Sequence, residues 1–222
     1  MLFMNTSHKT IEELSHENRP LTEILEGHRK WLRGEGGERS SLRKANLIGV
    51  SLRGFYLIGA DLSGAILVNA DLKETSLIGT TLKKTNLKGA NLSGADLIGA
   101  NLAQAILRDA DLSEADLREA NLNGAVLREC ILDSASLQGA SLRDANLSGT
   151  SLSKALLKKA DLTNVNFSRA NLFGADLEEA DLSGAQLEDQ RLLLVGRPQV
   201  APHGGELHEG RAAERRQHVH DP

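Results

Sequence analysis

Starting at Leu42, every fifth residue as far as Leu192 is leucine, with Phe167 the one exception. The series has 31 central positions and not one insertion or deletion, which no bias in composition can produce. A period of five fits neither the α-helix, at about 3.6, nor the strand, at about 2. Taken in parts, it is interpretable. The residue two before the centre is small in most repeats, Ala in 21 of the 31, with Ser40, Thr75, Thr80, Thr85, Thr150 and Cys130 among the variants. The residue just before the centre is Asn or Asp in 16 of them, and the residue two after is often glycine, as at Gly59, Gly79, Gly89, Gly94 and Gly99. Small–polar–Leu alternates in, out and in, as a three-residue extended segment does. The next two positions resemble the central pair of a turn, with glycine where a type II turn needs positive φ. Each five residues is therefore one short side and one corner. The outward Asn or Asp can bond neighbouring backbone.

The A-(N/D)-L-x-x pattern, as in Ala90-Asn91-Leu92 and Ala95-Asp96-Leu97, resembles the pentapeptide-repeat family over about two-thirds of the chain. The resemblance implies an all-β solenoid, a right-handed quadrilateral β-helix with four pentapeptides to a coil. The chain itself points to a coil of twenty, because Leu57-Ile58-Gly59, Leu77-Ile78-Gly79 and Leu97-Ile98-Gly99 recur at that spacing. The repeats then make about eight coils and a rod of about 35–40 Å. One repeat cannot stand alone: ordering five residues costs about 5–10 kcal/mol, and burying one Leu returns about 1.5–3 kcal/mol. Stacking must supply the rest, and both ends of the stack need covering.

Residues 1–39 are expected to form a helical cap and leader, 40–192 the array, and 193–222 a cap remnant and a disordered tail. Thr10 and Glu13 form a capping-box pattern ahead of Leu14. Pro20 suits a helix's first turn, and Leu21, Ile24, Leu25, His28, Trp31 and Leu32 then share one face until Gly34 stops it. His28-Arg29-Lys30-Trp31-Leu32 followed by Gly36-Gly37-Glu38-Arg39 also looks like the leader before many bacterial pentapeptide arrays. Trp31 and Leu32 are assigned to the cap, with Trp31 as a plug over the first coil. Leu193–Val195 is assigned to the last coil's cover, and the Gly-, Pro-, Arg- and His-rich remainder to the tail.

Chemistry is hard to find along this rod. All seven histidines lie outside the array, at 8, 16 and 28 and again at 203, 208, 218 and 220, so the rigid part lacks the usual general base and metal ligand. Cys130 takes an inward Ala position, which predicts a buried, inert thiol. Ser41 with Lys44 and Ser151 with Lys154 match a Ser-x-x-Lys spacing, but both arise from the repeat itself. Asp96 and Asp116 stack in adjacent coils at the position where the repeat demands Asn or Asp. No enzymatic activity, cofactor, metal or small-molecule substrate is expected. The net charge of −4 calls for neither nucleic acid nor an anionic membrane. With one cysteine, no signal-like apolar start and no run long enough to span a bilayer, a cytoplasmic location is expected.

What remains is surface. The expected function is a non-catalytic scaffold that binds a protein partner or itself. The alternative is a DNA-mimicking modulator or protector of a type II topoisomerase such as DNA gyrase, a role some family members perform. Its candidate surface is Asp109, Asp111, Glu114, Asp116 and Glu119, in the acidic later half of the array. Against it, residues 41–110 sum to +3 and only residues 111–192 are negative, at −6. The candidate interaction surface is Ile58, Ile78 and Ile98, one corner in three successive coils, with Tyr56 close by. A weaker apolar row, Ile66, Ile106 and Val126, is interrupted by Asn86 on the opposite face.

Overall fold

The computed structural model describes residues 8–188 and 191–195. From residue 41 onward the chain winds in coils of twenty. Ser41 pairs in parallel with Asp61, Asn46 with Ile66, Ser51 with Asp71 and Tyr56 with Ser76, and each ladder continues at the same spacing. These residues begin the four sides of the first coil. The first side alone stacks eight rungs, from Ser41 through Thr81 and Asn121 to Asp181. At a β-spacing of about 4.8 Å the ladder is about 34 Å long.

The five-residue unit satisfies its own backbone. In the unit centred on Leu62, Asp61 N–H donates down to Ser40 O, Leu62 N–H up to Thr81 O and Gly64 N–H up to Lys83 O. Ala65 N–H closes the corner onto Leu62 O at 3.0 Å. The fifth donor, Ser63 N–H, is taken by Asp61 Oδ1 at 2.9 Å. The outward Asx therefore completes the count that a tightly wound backbone requires. The core is the column of inward leucines and small residues, nearly all fully buried. Inward threonines are accommodated because each hydroxyl reaches the coil beneath: Thr80 Oγ1 donates to Leu57 O at 2.7 Å and Thr150 Oγ1 to Leu127 O at 2.6 Å.

The leader differs from its expected form. Thr10 makes no side-chain cap, and only a single 3-10 turn, Ile11–Glu13, follows it. A small hairpin comes next, β1 (Ser15–His16) against β2 (Arg19–Pro20). Glu17 and Asn18 both have positive φ at its turn, the backbone of a type I′ hairpin, so two left-handed residues end any helix there. Helix α1 spans Leu21–Leu32. Gly34, at φ 69°, ends it in a Schellman arrangement, with Gly34 N–H on Trp31 O and Glu35 N–H on Lys30 O. Leu21, Ile24 and Leu25 are buried and join the array's core. Lys9 runs beneath the third side, donating to Gly49 O at 2.7 Å and accepting Ser51 N–H at 3.0 Å.

At the far end, β3 (Asn171–Asp176) pairs in parallel with β4 (Arg191–Val195). The spacing of twenty holds through Phe173–Leu193, then slips so that Asp176 meets Val195. The period therefore ends where the leucine series does. Residues 196–222, and with them the expected tail, lie outside the described residues.

Candidate interaction surfaces

Ile58, Ile78 and Ile98 do share one corner, since their coils are joined rung by rung through Tyr56, Ser76 and Asp96. They are half-buried rather than fully outward. Side chains one rung apart at about 4.8 Å cover one another. Beside them Gly59, Gly79 and Gly99 have φ of 68°, 60° and 62°. A Cβ on Gly79 or Gly99 would meet nothing, whereas one on Gly59 would lie 4.0 Å from Trp31 Cη2.

The exposure of Trp31 corrects the role of a plug over the first coil assigned to it. It is 41% exposed, and the side chains of α1 that are buried are Leu21, Ile24, Leu25 and His28, with Leu32 half-buried. A helix face wide enough to seat Leu21 to His28 leaves Trp31 at its edge. The indole stacks on His28 at 5.5 Å between ring centroids and lies at the low end of the isoleucine corner. Trp31, Ile58, Ile78 and Ile98 form one apolar ridge, which ends where Arg118 takes the next corner. Tyr56, 68% exposed, turns instead toward a cleft of about 360 Å³ between α1 and the first coil, lined also by Ile11, Leu25, Phe55, Arg29 and Arg53.

The weaker row on the opposite face is the more exposed of the two, and four further apolar side chains emerge only in the structure. Ile106 is 42% exposed and Ile66 nearly as much, more open than the isoleucine corner. Ile131 and Leu156 stand in the outward Asx position, and Phe173 and Ile48 in the first corner position. The signal for all four was a departure from the polar consensus at those two places in the repeat.

The five acidic candidates all lie in the coil 101–120, but they encircle it. Asp109, Glu114 and Glu119 are at three different corners, all at positive φ, while Asp111 and Asp116 begin the third and fourth sides. Arg118 sits on Asp116 at 2.6 Å and holds its carboxyl below the usual range. Arg108 lies 3.5 Å from Asp109. Asp96 and Asp116 do form adjacent rungs, yet each accepts its own corner N–H, from Ile98 and Arg118. Ser151 Oγ donates to Asp133 rather than to Lys154. Cys130 is buried, its Sγ 2.7 Å from Leu107 O, and burial pushes its pKa up to about 12. No described helix is long and apolar enough to cross a membrane.

Comparison with known proteins accords with this geometry. The family model for pentapeptide repeats matches with 8 copies, across residues 40–189. HetL of the cyanobacterium Nostoc sp. PCC 7120, a pentapeptide-repeat protein involved in heterocyst differentiation regulation, is 40% identical over 70% of this chain and 73% of its own, with a TM-score of 0.41. A pentapeptide-repeat protein of the Arabidopsis thaliana thylakoid lumen is 35% identical over 46% of this chain and 68% of its own, with a TM-score of 0.35. QnrB1, a plasmid-mediated fluoroquinolone resistance protein, is 21% identical over 71% of this chain and 82% of its own, with a TM-score of 0.38. The curated proteins contain no match to the chain. The chain belongs to the pentapeptide-repeat family, whose fold is the right-handed quadrilateral β-helix.

Proposed function

We propose that this chain is a non-catalytic protein-binding scaffold, with residues 1–39 as the leader that caps its first coil and residues 40–192 as the rod. The carrying observation is the ridge from Trp31 through Ile58 and Ile78 to Ile98. The repeat satisfies its backbone and core without it, and other first-corner positions are mostly Ser, Lys, Arg or Glu. Contiguous apolar surface of this kind marks an interaction site more often than scattered residues do. The unsubstituted corners at Gly79 and Gly99 would let another backbone approach closely. The partner is a second copy of the chain or another protein that presents an apolar strip. No separate observation favours topoisomerase modulation: its acidic residues ring one coil instead of lining a face, and Asp109 and Asp116 are paired with arginines.

The substitution Ile78→Glu tests the ridge at its centre. The β-rich circular dichroism spectrum should persist, because the side chain is at a corner and not in the core. Self-association in light scattering, or capture of a partner in a pull-down, should disappear. Retention of both oligomeric state and partners by the variant would overturn the assignment.

A further inference from the structure

The buried face of α1 is apolar except at His28, whose residue is 1% exposed. His28 Nδ1 accepts the Ser40 N–H at 3.0 Å, and Ser40 Oγ donates to Ile24 O at 3.4 Å. Ser40 is the first inward residue of the array, so these two bonds tie the helix to the first coil. Acceptance at Nδ1 assigns the ring's proton to Nε2, and Nε2 is buried with no partner among the described residues. The ring stacks on Trp31 with the planes 21° apart. The charged group bearing on it is Arg39, of the same sign as an imidazolium. Acidic residues nearby in sequence are engaged elsewhere: Glu23 and Glu38 hold Arg19, and Glu26 holds Arg29.

We propose that His28 is an acid-released latch: a proton on Nδ1 removes the acceptor for Ser40 and undocks α1 from the first coil. The protonated ring would point N–H at N–H and place a charge in an apolar joint with no carboxylate to balance it. Burial lowers the docked ring's pKa, and Arg39 acts in the same direction. Undocked, the ring returns to its ordinary value of 6.5. Because the docked state favours the neutral form, docking is complete above about pH 6.5 and weakens as pH falls toward the depressed docked value. Within that window the equilibrium shifts about tenfold per pH unit toward the open helix. The described inward positions of the array hold no ionisable group except Cys130, whose proton is already on, so the coils have no matching response. The latch goes beyond the binding reading and stands on the helix–coil joint alone.

Hydrogen exchange on the full chain between pH 7.5 and 5.5, corrected for intrinsic rates, reads this directly. Amides of residues 21–33 and of Ser40 should lose protection progressively below pH 6.5, by up to about tenfold at pH 5.5, while the rungs from Leu62 to Leu182 keep theirs. Fluorescence of Trp31, the sole tryptophan, should change over the same interval. His28→Asn keeps an acceptor near the Nδ1 position without a titrating ring, and its profile should be flat. Should that variant fail to dock at neutral pH, the exchange of the unmodified chain decides. Full protection of residues 21–33 at pH 5.5 would overturn the latch, as would the same acid transition in His28→Asn or simultaneous opening of the array.

Discussion

Twenty-nine successive corners, Lys44 to Gly184, hold a left-handed residue, and 16 of these are not glycine. The turn therefore does not require glycine; the ladders above and below impose the backbone, and a side chain there bears a strain of about 1 kcal/mol. Gly79→Ala should cost about that amount in chemical denaturation, because the added Cβ meets no atom and only conformation is penalised. Glu114→Gly, at φ 58°, should not destabilise, and an equal loss in both variants would refute the account. The in-and-out assignment of Ala, Asx and Leu was legible because it repeats. The corner glycines were legible too, but at Glu114 or Lys154 only the period reveals a left-handed backbone. One device was not legible at all. Where Ser141 and Ser151 replace the outward Asx, the corner donors Arg143 N–H and Ser153 N–H go to Asn123 and Asp133 of the coil beneath, at 2.9 Å each. Those partners are twenty residues away, so the substitution makes sense only once the coils are stacked.

At the scale of elements, the array and the leader obey different rules. Array sides need no individual signal, since each rung is positioned by its neighbours. The leader has no period, and its segments were legible only where punctuation was strong, at Pro20 and Gly34. The capping-box reading at Thr10 failed because Glu17-Asn18 makes a hairpin turn, a tertiary choice that the local motif does not disclose. Trp31 was misassigned because a helical face drawn from sequence has no edges, and in the structure the indole stands outside the buried set of Leu21, Ile24, Leu25 and His28. The helix nonetheless brings Leu21, Ile24 and Leu25 into the core. Removing residues 1–34 should therefore uncover the first coil's apolar section and open ladder. Size-exclusion chromatography with light scattering should find the truncated protein associated or aggregated. A soluble monomer with an unchanged β spectrum would show that the first coil needs no cover.

At the scale of the whole molecule the twenty-residue coil is the unit of construction, and its contacts reach only the coils above and below. Deleting residues 101–120 joins Ala100 to Asn121 and restores every rung in register: Asp96, for instance, would pair with Ser136 in place of Asp116. The inward set stays apolar and buried: Ala and Leu replace Ala and Leu, except that Cys130 takes the place of Ala110 and would meet Leu87 O in place of Leu107 O. The ion pair of Arg108 with Glu129 at 3.6 Å is lost, a surface contact of small worth. The shortened protein should keep its β spectrum, and small-angle scattering should find the rod shorter by about 4.8 Å. Deleting only residues 101–103 removes fewer atoms yet should do far more harm. It places outward residues on the core side for every coil that follows, or forces a loop into a stack with no space for one. That variant should lose cooperative unfolding and become prone to aggregation, because an unpaired polar group buried in each displaced unit costs more than the marginal stability of a domain can absorb. If the three-residue deletion proved milder than the loss of a whole coil, the coils would not be independent, interchangeable layers, and the rod's stability would have to reside in contacts specific to each level.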